Sequence, residues 1–366
     1  MTVEEIKELG AKKDEQSLEV LLRIYPLGLS IDLKREIVSS IGRHPNLNAV
    51  FLFLNKEAFE KNVPMEVIYQ MYRTCLLRGK KDERFRLLGE HIRIEYDNEV
   101  IEKMYRYSHN SVNRIHKTTI TKPVAYCGDA EEVLSTFPSQ SVQLIFTSPP
   151  YYNARDYVEY RSYEDYLSKM KAVLRECWRI LEMGRFIVIN VSPIITRRAG
   201  RQFESIRYPL PFDFHKILTD CDFYFVDEII WLKPEPSVPN RNGGFKRTPK
   251  PLMYKPNCIT ESLLVYRRNC DFLLDKNIRE YEEEYVEGEI DTSNVWKIAP
   301  VFNPNHPAVF PEELARRVIK YYSFKGDAVL DPFAGIGTTG KVAIEMGRIP
   351  VQIDIKEEYV SEFNSF

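Results

Sequence analysis

The 366-residue sequence predicts two parts of different class: an all-helical N-terminal module, then an α/β domain whose mainly parallel sheet carries helices on both faces. Three observations predict this. Before about residue 110, apolar residues recur at helical spacing, with sparse glycine and no strand-like alternation. After residue 123, short apolar runs alternate with amphipathic stretches, the texture of βαβ units. Near the end, a glycine turn joins one such run to a helical stretch.

In the first part, Val3–Leu9, Leu18–Tyr25, Leu33–Ile41 and Val67–Leu77 each carry an apolar face, parted by polar turns such as His44-Pro45-Asn46. The paired short helices suggest a helical-repeat stack without a fixed period. Residues 108–122 are polar and read as a linker. The boundary therefore falls at 1–115 for the module and 116–366 for the α/β domain.

In the second part, Val124–Cys127 reads as a strand ending in Gly128-Asp129, and Val142–Phe146 as one ending in Thr147-Ser148-Pro149-Pro150-Tyr151. A helix follows from about 163 to 182, with Tyr166, Met170, Val173, Cys177 and Leu181 on one face. Ser162 and Asp165 have capping-box spacing at its start, and Gly184 reads as its C-terminal stop. Phe186–Val191 is a strand, Phe212–Leu218 a helix and Phe223–Leu232 a strand. Residues 233–258 break the pattern with prolines, Gly243-Gly244 and five basic residues without an acid between Arg241 and Lys255. Ser262–Tyr266 resumes a strand, and the acidic stretch 279–291 reads as solvated surface. A helix Pro311–Tyr322, a strand Ala328–Leu330, the glycine turn, a helix to Met346 and a strand Val351–Ile355 complete the pattern.

The bulk numbers exclude little. A net charge of −2 with 44% hydrophobic and 28% charged residues is that of a soluble globular protein, and it leaves local basic stripes free to bind nucleic acid. No apolar run is long enough to span a bilayer, and the N-terminus lacks signal-peptide texture. The six cysteines show neither CxxC pairs nor zinc spacing, so the expectation is a reduced, cytoplasmic protein without metal.

Asp331-Pro332-Phe333-Ala334-Gly335-Ile336-Gly337 sits where a glycine turn becomes a ligand site, because the missing Cβ lets a ligand approach the backbone at a helix N-terminus. Such turns also use glycine for steric reasons alone. Asp354, at the end of the next strand, adds an acceptor for ribose hydroxyls. Together they indicate a nucleoside-containing cofactor, dinucleotide or otherwise. At Thr147–Tyr151, two prolines stiffen the backbone at a strand end and display acceptors from Ser148 Oγ and the Pro149 carbonyl beside the Tyr151 ring. An amino group on a planar heterocycle is the complement. The bland alternative is a rigid turn or polyproline ligand.

Thr147–Tyr151 and Asp331–Gly337, in that order, resemble the catalytic and cofactor motifs of the permuted β group of amino-group DNA methyltransferases, the N4-cytosine and N6-adenine enzymes of restriction–modification systems. Gly128-Asp129, Ile230-Trp-Leu-Lys-Pro234, Asn294-Val-Trp296 and Asn305-His-Pro-Ala-Val-Phe-Pro311 fit as well. The resemblance spans about 123–360. It implies a Rossmann-like, S-adenosylmethionine-dependent methyltransferase sheet. Phe333, Gly335, Gly337, Asp354, Asp129, Asn305, Pro307 and Phe310, with Thr147, Asp331 and Thr338, would hold S-adenosyl-L-methionine. Ser148, Pro149, Pro150 and Tyr151 would be catalytic. A serine at position 148 marks N4-cytosine enzymes in that family and an aspartate N6-adenine enzymes, so cytosine N4 is the expected acceptor and adenine N6 the alternative.

The implied partner is double-stranded DNA, contacted by basic loops at about 195–208 (Arg197, Arg198, Arg201) and 233–258 (Arg241, Lys246, Arg247). The resemblance also allows a cognate restriction endonuclease, and either a monomer or a homodimer. Residues 1–115 are expected to contact DNA or a partner. A C5-cytosine mechanism is disfavoured because no cysteine follows a proline. A nicotinamide oxidoreductase, a non-catalytic DNA-binding module, and an RNA or small-molecule methyltransferase are the other readings weighed.

Overall fold

The helical spacing of the first hundred residues folds as seven helices. In the computed structural model, residues 2–109, 120–152, 160–196, 200, 202–270, 274, 278, 285–301 and 310–363 are described. The chain divides into two units, one built on residues 1–113 and one on 114–270 and 278–366.

The first unit contains α1 (Val3–Lys12), α2 (Glu15–Ile24), α3 (Ile31–Gly42), α4 (Leu47–Glu57), α5 (Met65–Arg78), α6 (Glu83–Tyr96) and α7 (Glu99–His109). Local chemistry sets several starts: Thr2 and Glu5 form a capping box, Asp14 caps α2, and Asn46 caps α4. Alternate helices stack, α1 on α3, α3 on α5 and α5 on α7. Ile6, Leu21, Ile37, Leu54, Met71 and Phe85 lie in the shared core. Two glycines allow the close approach: a Cβ on Gly10 would lie 2.4 Å from Ser40 Oγ, and one on Gly42 would lie 2.7 Å from Thr74 Oγ1.

The second unit contains β1 (Val124–Cys127), β2 (Val142–Thr147), β3 (Leu181–Val191), β4 (Ile194–Ile195), β5 (Arg207–Tyr208), β6 (Phe223–Leu232), β7 (Thr260–Arg268), β8 (Val295–Lys297), β9 (Ala328–Asp331) and β10 (Ile349–Asp354). Eight of them form one sheet in the order β1-β10-β9-β2-β3-β7-β6-β8, while β4 and β5 make a separate ribbon. From β1 to β3 the sheet is parallel; β7 then runs antiparallel to both β3 and β6. Helices α8 (Ala130–Ser135), α9 (Tyr163–Ile180) and α10 (Leu210–Asp220) cover one face through Leu134, Tyr166, Met170 and Phe214. After the short α11 (Gly243–Arg247), helices α12 (Glu312–Tyr322) and α13 (Thr338–Glu345) cover the other face through Leu314, Val318 and Val342. Ile145 of β2 joins the first cluster and Leu144 and Phe146 the second, so this strand is buried on both sides, as parallel sheets require. A last helix, α14 (Glu357–Phe363), packs on β1 and β10.

One expected boundary changes. Ser162 does cap α9, its hydroxyl accepting from the Asp165 amide at 3.0 Å, but the helix ends at Ile180 and not at Gly184. Gly184 lies inside β3 at φ +78°, where the register with β2 jumps from Val142–Leu181 to Leu144–Phe186. Its freedom of φ serves a strand irregularity there.

Candidate active site

Parallel register brings the carboxyl ends of β1, β10, β9 and β2 side by side, each delivering one polar turn. Cys127 pairs with Asp354 and Gln352 with Asp331, and the Gly128 amide donates to the Asp354 carbonyl at 3.0 Å. Asp129, Asp354, the 331–337 turn and the 147–151 turn thus line one edge, although distant in sequence.

Asp331 joins two of these turns. It is 1% exposed; Oδ1 accepts from the Thr147 hydroxyl at 2.6 Å and the Phe333 amide at 3.1 Å, and Oδ2 from the Thr339 hydroxyl at 2.7 Å. Burial lifts its carboxyl to about 6, because three donors offset the loss of water only in part. Thr147 and Asp331, both expected at a cofactor, spend these groups on each other and fasten the glycine turn to the TSPPY turn. Thr338 begins α13 and is nearly buried; its neighbour Thr339 anchors the helix to Asp331.

Gly335 and Gly337 have φ of +54° and +79°, and a Cβ on Gly337 would stand 3.0 Å from the Phe363 ring. Conformation and packing therefore both demand glycine at 337. The Gly335 amide donates to Asp354 Oδ2 at 2.8 Å and the Lys356 amide to Oδ1 at 2.9 Å, which leaves each oxygen a further lone pair. Asp129 caps α8 through the Glu131 and Glu132 amides and meets Lys169 Nζ at 2.7 Å. Burial raises the Asp129 carboxyl, but Lys169 and those amides bring it below its ordinary value. Phe333 is half-buried against the core, and Phe310 packs on Phe146 with centroids 4.9 Å apart. Asn305, Pro307, Arg197, Arg198 and Arg201 lie outside the described residues.

At the end of β2, Pro149 is buried while Ser148, Pro150 and Tyr151 are half-buried. Ser148 Oγ donates to the Asn190 main-chain carbonyl at 3.2 Å. Asn190, near the end of β3, is 2% exposed, and its Nδ2 donates to Glu261 Oε2 at 2.7 Å. Glu261 also accepts from Lys233 Nζ. The carboxylate fixes which way the amide points, so Asn190 Oδ1 is an acceptor, and it has no hydrogen-bond partner among the described residues. Burial, with the Glu261 charge adding to it, pushes the Tyr151 phenol far above its ordinary range and keeps it neutral. Tyr152, Tyr163 and Tyr208 brace the turn, with Tyr163 and Tyr208 centroids 4.2 Å apart and Tyr163 Oη donating to Asp213 at 2.5 Å.

Asn190, Glu261 and Lys169 escaped sequence reasoning, and Lys233 was noticed only within a motif. The available signal for Asn190 and Glu261 was a lone polar residue near the end of an apolar strand run. Of the basic residues on 233–258, Lys246 and Arg247 are exposed, whereas Arg241 is half-buried with Nη1 2.8 Å from Cys258 Sγ.

The DNA methylase family, N6/N4 type, matches this chain over residues 142–365. The chain belongs to that family. Among curated relatives of the methylase, the type II methyltransferase M.ScaI of Streptomyces caespitosus is 29% identical over 252 residues, covering 64% of this chain and 78% of that protein. The DNA adenine methyltransferase YhdJ of Escherichia coli (strain K12) is 28% identical over 248 residues, again 64% and 78%. A solved DNA modification methylase from Thermus thermophilus, complexed with S-adenosyl-L-methionine, is 28% identical with a TM-score of 0.50, covering 66% of this chain and 92% of that one.

The methylase takes S-adenosyl-L-methionine as cofactor. Its strand-end residues fit such a group: Asp354 and Asp129 are part-exposed carboxylates beside a glycine turn, suited to hydroxyl and amine donors. If Asp354 holds the ribose, Asp354→Ala is expected to weaken cofactor binding by about 1–3 kcal/mol, the range for a hydrogen bond to a charged group. Calorimetry returning unchanged affinity would remove Asp354 from the site. No helix among the described residues is long and apolar enough to cross a membrane.

Proposed function

We propose that this methylase transfers the methyl group to N4 of a cytosine turned out of double-stranded DNA, as the modifying arm of a restriction–modification system. One observation carries the reading. Ser148 has a single hydrogen, and it is committed to the Asn190 carbonyl, so its lone pairs are what the oxygen offers a substrate. A cytosine amine is a poor nucleophile because its own lone pair is delocalised into the ring. As it attacks, positive charge grows on nitrogen, and acceptors on Ser148 and the Pro149 carbonyl stabilise that charge while holding the amine in line. S-adenosyl-L-methionine supplies an activated methyl, so no covalent enzyme intermediate is needed. Turning the base out costs a few kcal/mol, and stacking on Tyr151 recovers on the order of 1–3 kcal/mol.

The reading of adenine N6 as acceptor uses the same turn and draws on the adenine enzyme among the relatives. Mass spectrometry of digested product DNA separates the two: N4-methylcytosine supports the proposal, N6-methyladenine replaces the base, and 5-methylcytosine rejects the mechanism. The basic loops are assigned to phosphate. Replacing Arg241, Lys246 and Arg247 by alanine is expected to weaken DNA binding and flatten its salt dependence by up to about three units of log–log slope. An unchanged slope would take these residues off the DNA.

A further inference from the structure

The connection between β6 and β7 has a tied base and a strained tip. At the base, the Arg241 amide donates to Asn257 Oδ1 at 2.7 Å, Asn257 Nδ2 to Glu235 Oε1 at 2.8 Å, and the Lys233 amide to the Ile259 carbonyl at 2.8 Å. At the tip, Lys250-Pro251-Leu252-Met253 is a turn closed by the Met253 amide on the Lys250 carbonyl at 3.2 Å. Proline at the second position and φ of +70° at the third make it a type II turn, with Leu252 where glycine is the usual residue. Leu252 is also fully exposed, at 102%. A bulky residue here strains the backbone and leaves an apolar side chain in water, and glycine would form the same turn more easily. Nothing in the folded chain gains from this side chain, so its use lies outside the chain.

The surroundings say what it meets. Lys246, Arg247, Lys250 and Lys255 are all exposed around the tip. No acidic residue lies between Arg241 and Lys255, so the field there is that of a polyanion site. Phe245 and Tyr254 pack edge-to-face at 5.3 Å and stiffen the tip from within.

We propose that Leu252 is a wedge: it enters the duplex and fills the gap left when the target base turns out. This rests on the reading that the loop meets DNA. The cations hold the phosphates, and the proline turn presents one apolar side chain, already ordered, to the faces of the bases flanking the gap.

Leu252→Gly keeps and relaxes the turn while removing the wedge; Leu252→Phe keeps the apolar bulk. The probes are a duplex bearing the site mapped by modified-base sequencing, and the same duplex with a tetrahydrofuran abasic residue opposite the target base. Leu252→Gly is expected to lower kcat/KM on the intact duplex about 10- to 100-fold, to hold or raise Tm, and to recover most activity on the abasic duplex, where extrusion costs less. Leu252→Phe is expected to stay within a few-fold of the parent. Full activity of Leu252→Gly on the intact duplex overturns the proposal, as does an equal deficit on both duplexes. If the Arg241/Lys246/Arg247 variant keeps its salt slope, the loop does not meet phosphate and the underlying reading fails. If that slope falls while Leu252→Gly remains fully active, the wedge alone fails.

Discussion

Ser148→Ala is expected to reduce turnover on DNA by about 10²–10³-fold, equivalent to about 3–4 kcal/mol, while S-adenosyl-L-methionine affinity stays nearly constant. The asymmetry follows from when the interaction matters. Before reaction the amine is close to neutral, and an acceptor beside it contributes little beyond what water offers. As the new bond forms, the nitrogen charges, and a fixed oxygen in a half-buried turn gains strength just then. Removing the oxygen also frees the Asn190 carbonyl from its 3.2 Å partner, but that carbonyl belongs to the main chain of β3 and cannot follow the side chain. Single-turnover rates and cofactor calorimetry on the same preparation check both halves. A variant that loses cofactor binding in step with turnover would show that Ser148 supports the turn and does not act on the amine.

Asp331→Ala is expected to prevent accumulation of the folded protein. It strands three buried donors, from Thr147, Thr339 and the Phe333 amide, at about 1–3 kcal/mol each, between two strands of the sheet. Asp331→Asn is the informative change, because an amide can accept from Thr147 and donate to Thr339. The parent carboxyl ionises at about 6 when folded, against 3.8 in the open chain. A raised folded value means stability that is complete below 3.8 and lost as pH climbs through 6, in full about 3 kcal/mol. The asparagine variant lacks that loss. Urea unfolding at pH 5 and pH 7.5 is therefore expected to show the variant gaining about 1.4 kcal/mol on the parent between the two. Parallel pH profiles would place the Asp331 carboxyl in its ordinary range.

How much of this was legible depended on distance along the chain. The strands Val124–Cys127 and Phe223–Leu232 were readable to the residue, since each is an apolar or β-branched run closed by a turn. Gly184 misled because positive φ ends helices and kinks strands alike, and only the partner strand tells the two apart. The reversal of direction at β7 left no local trace. The turn motifs at 147–151 and 331–337 announced themselves, but the bond between Thr147 and Asp331 spans 184 positions, and that between Asn190 and Glu261 spans 71. No periodicity reports such pairs. Leu252 was invisible for a different reason: a leucine in a proline-rich loop is ordinary until its φ is known.

The pairing of β1 with β10 bears on how the protein is made. β1 is an edge strand with β10 as its one neighbour, and roughly two hundred residues separate them. At about 5–20 residues per second, a ribosome exposes β1 some 10–40 seconds before its partner exists. During that interval the seven N-terminal helices, whose contacts are short-range, can complete their stack. A nascent chain halted short of Asp354 would carry the whole TSPPY turn and no cofactor edge to serve it, so competence to methylate arrives with the last few residues translated.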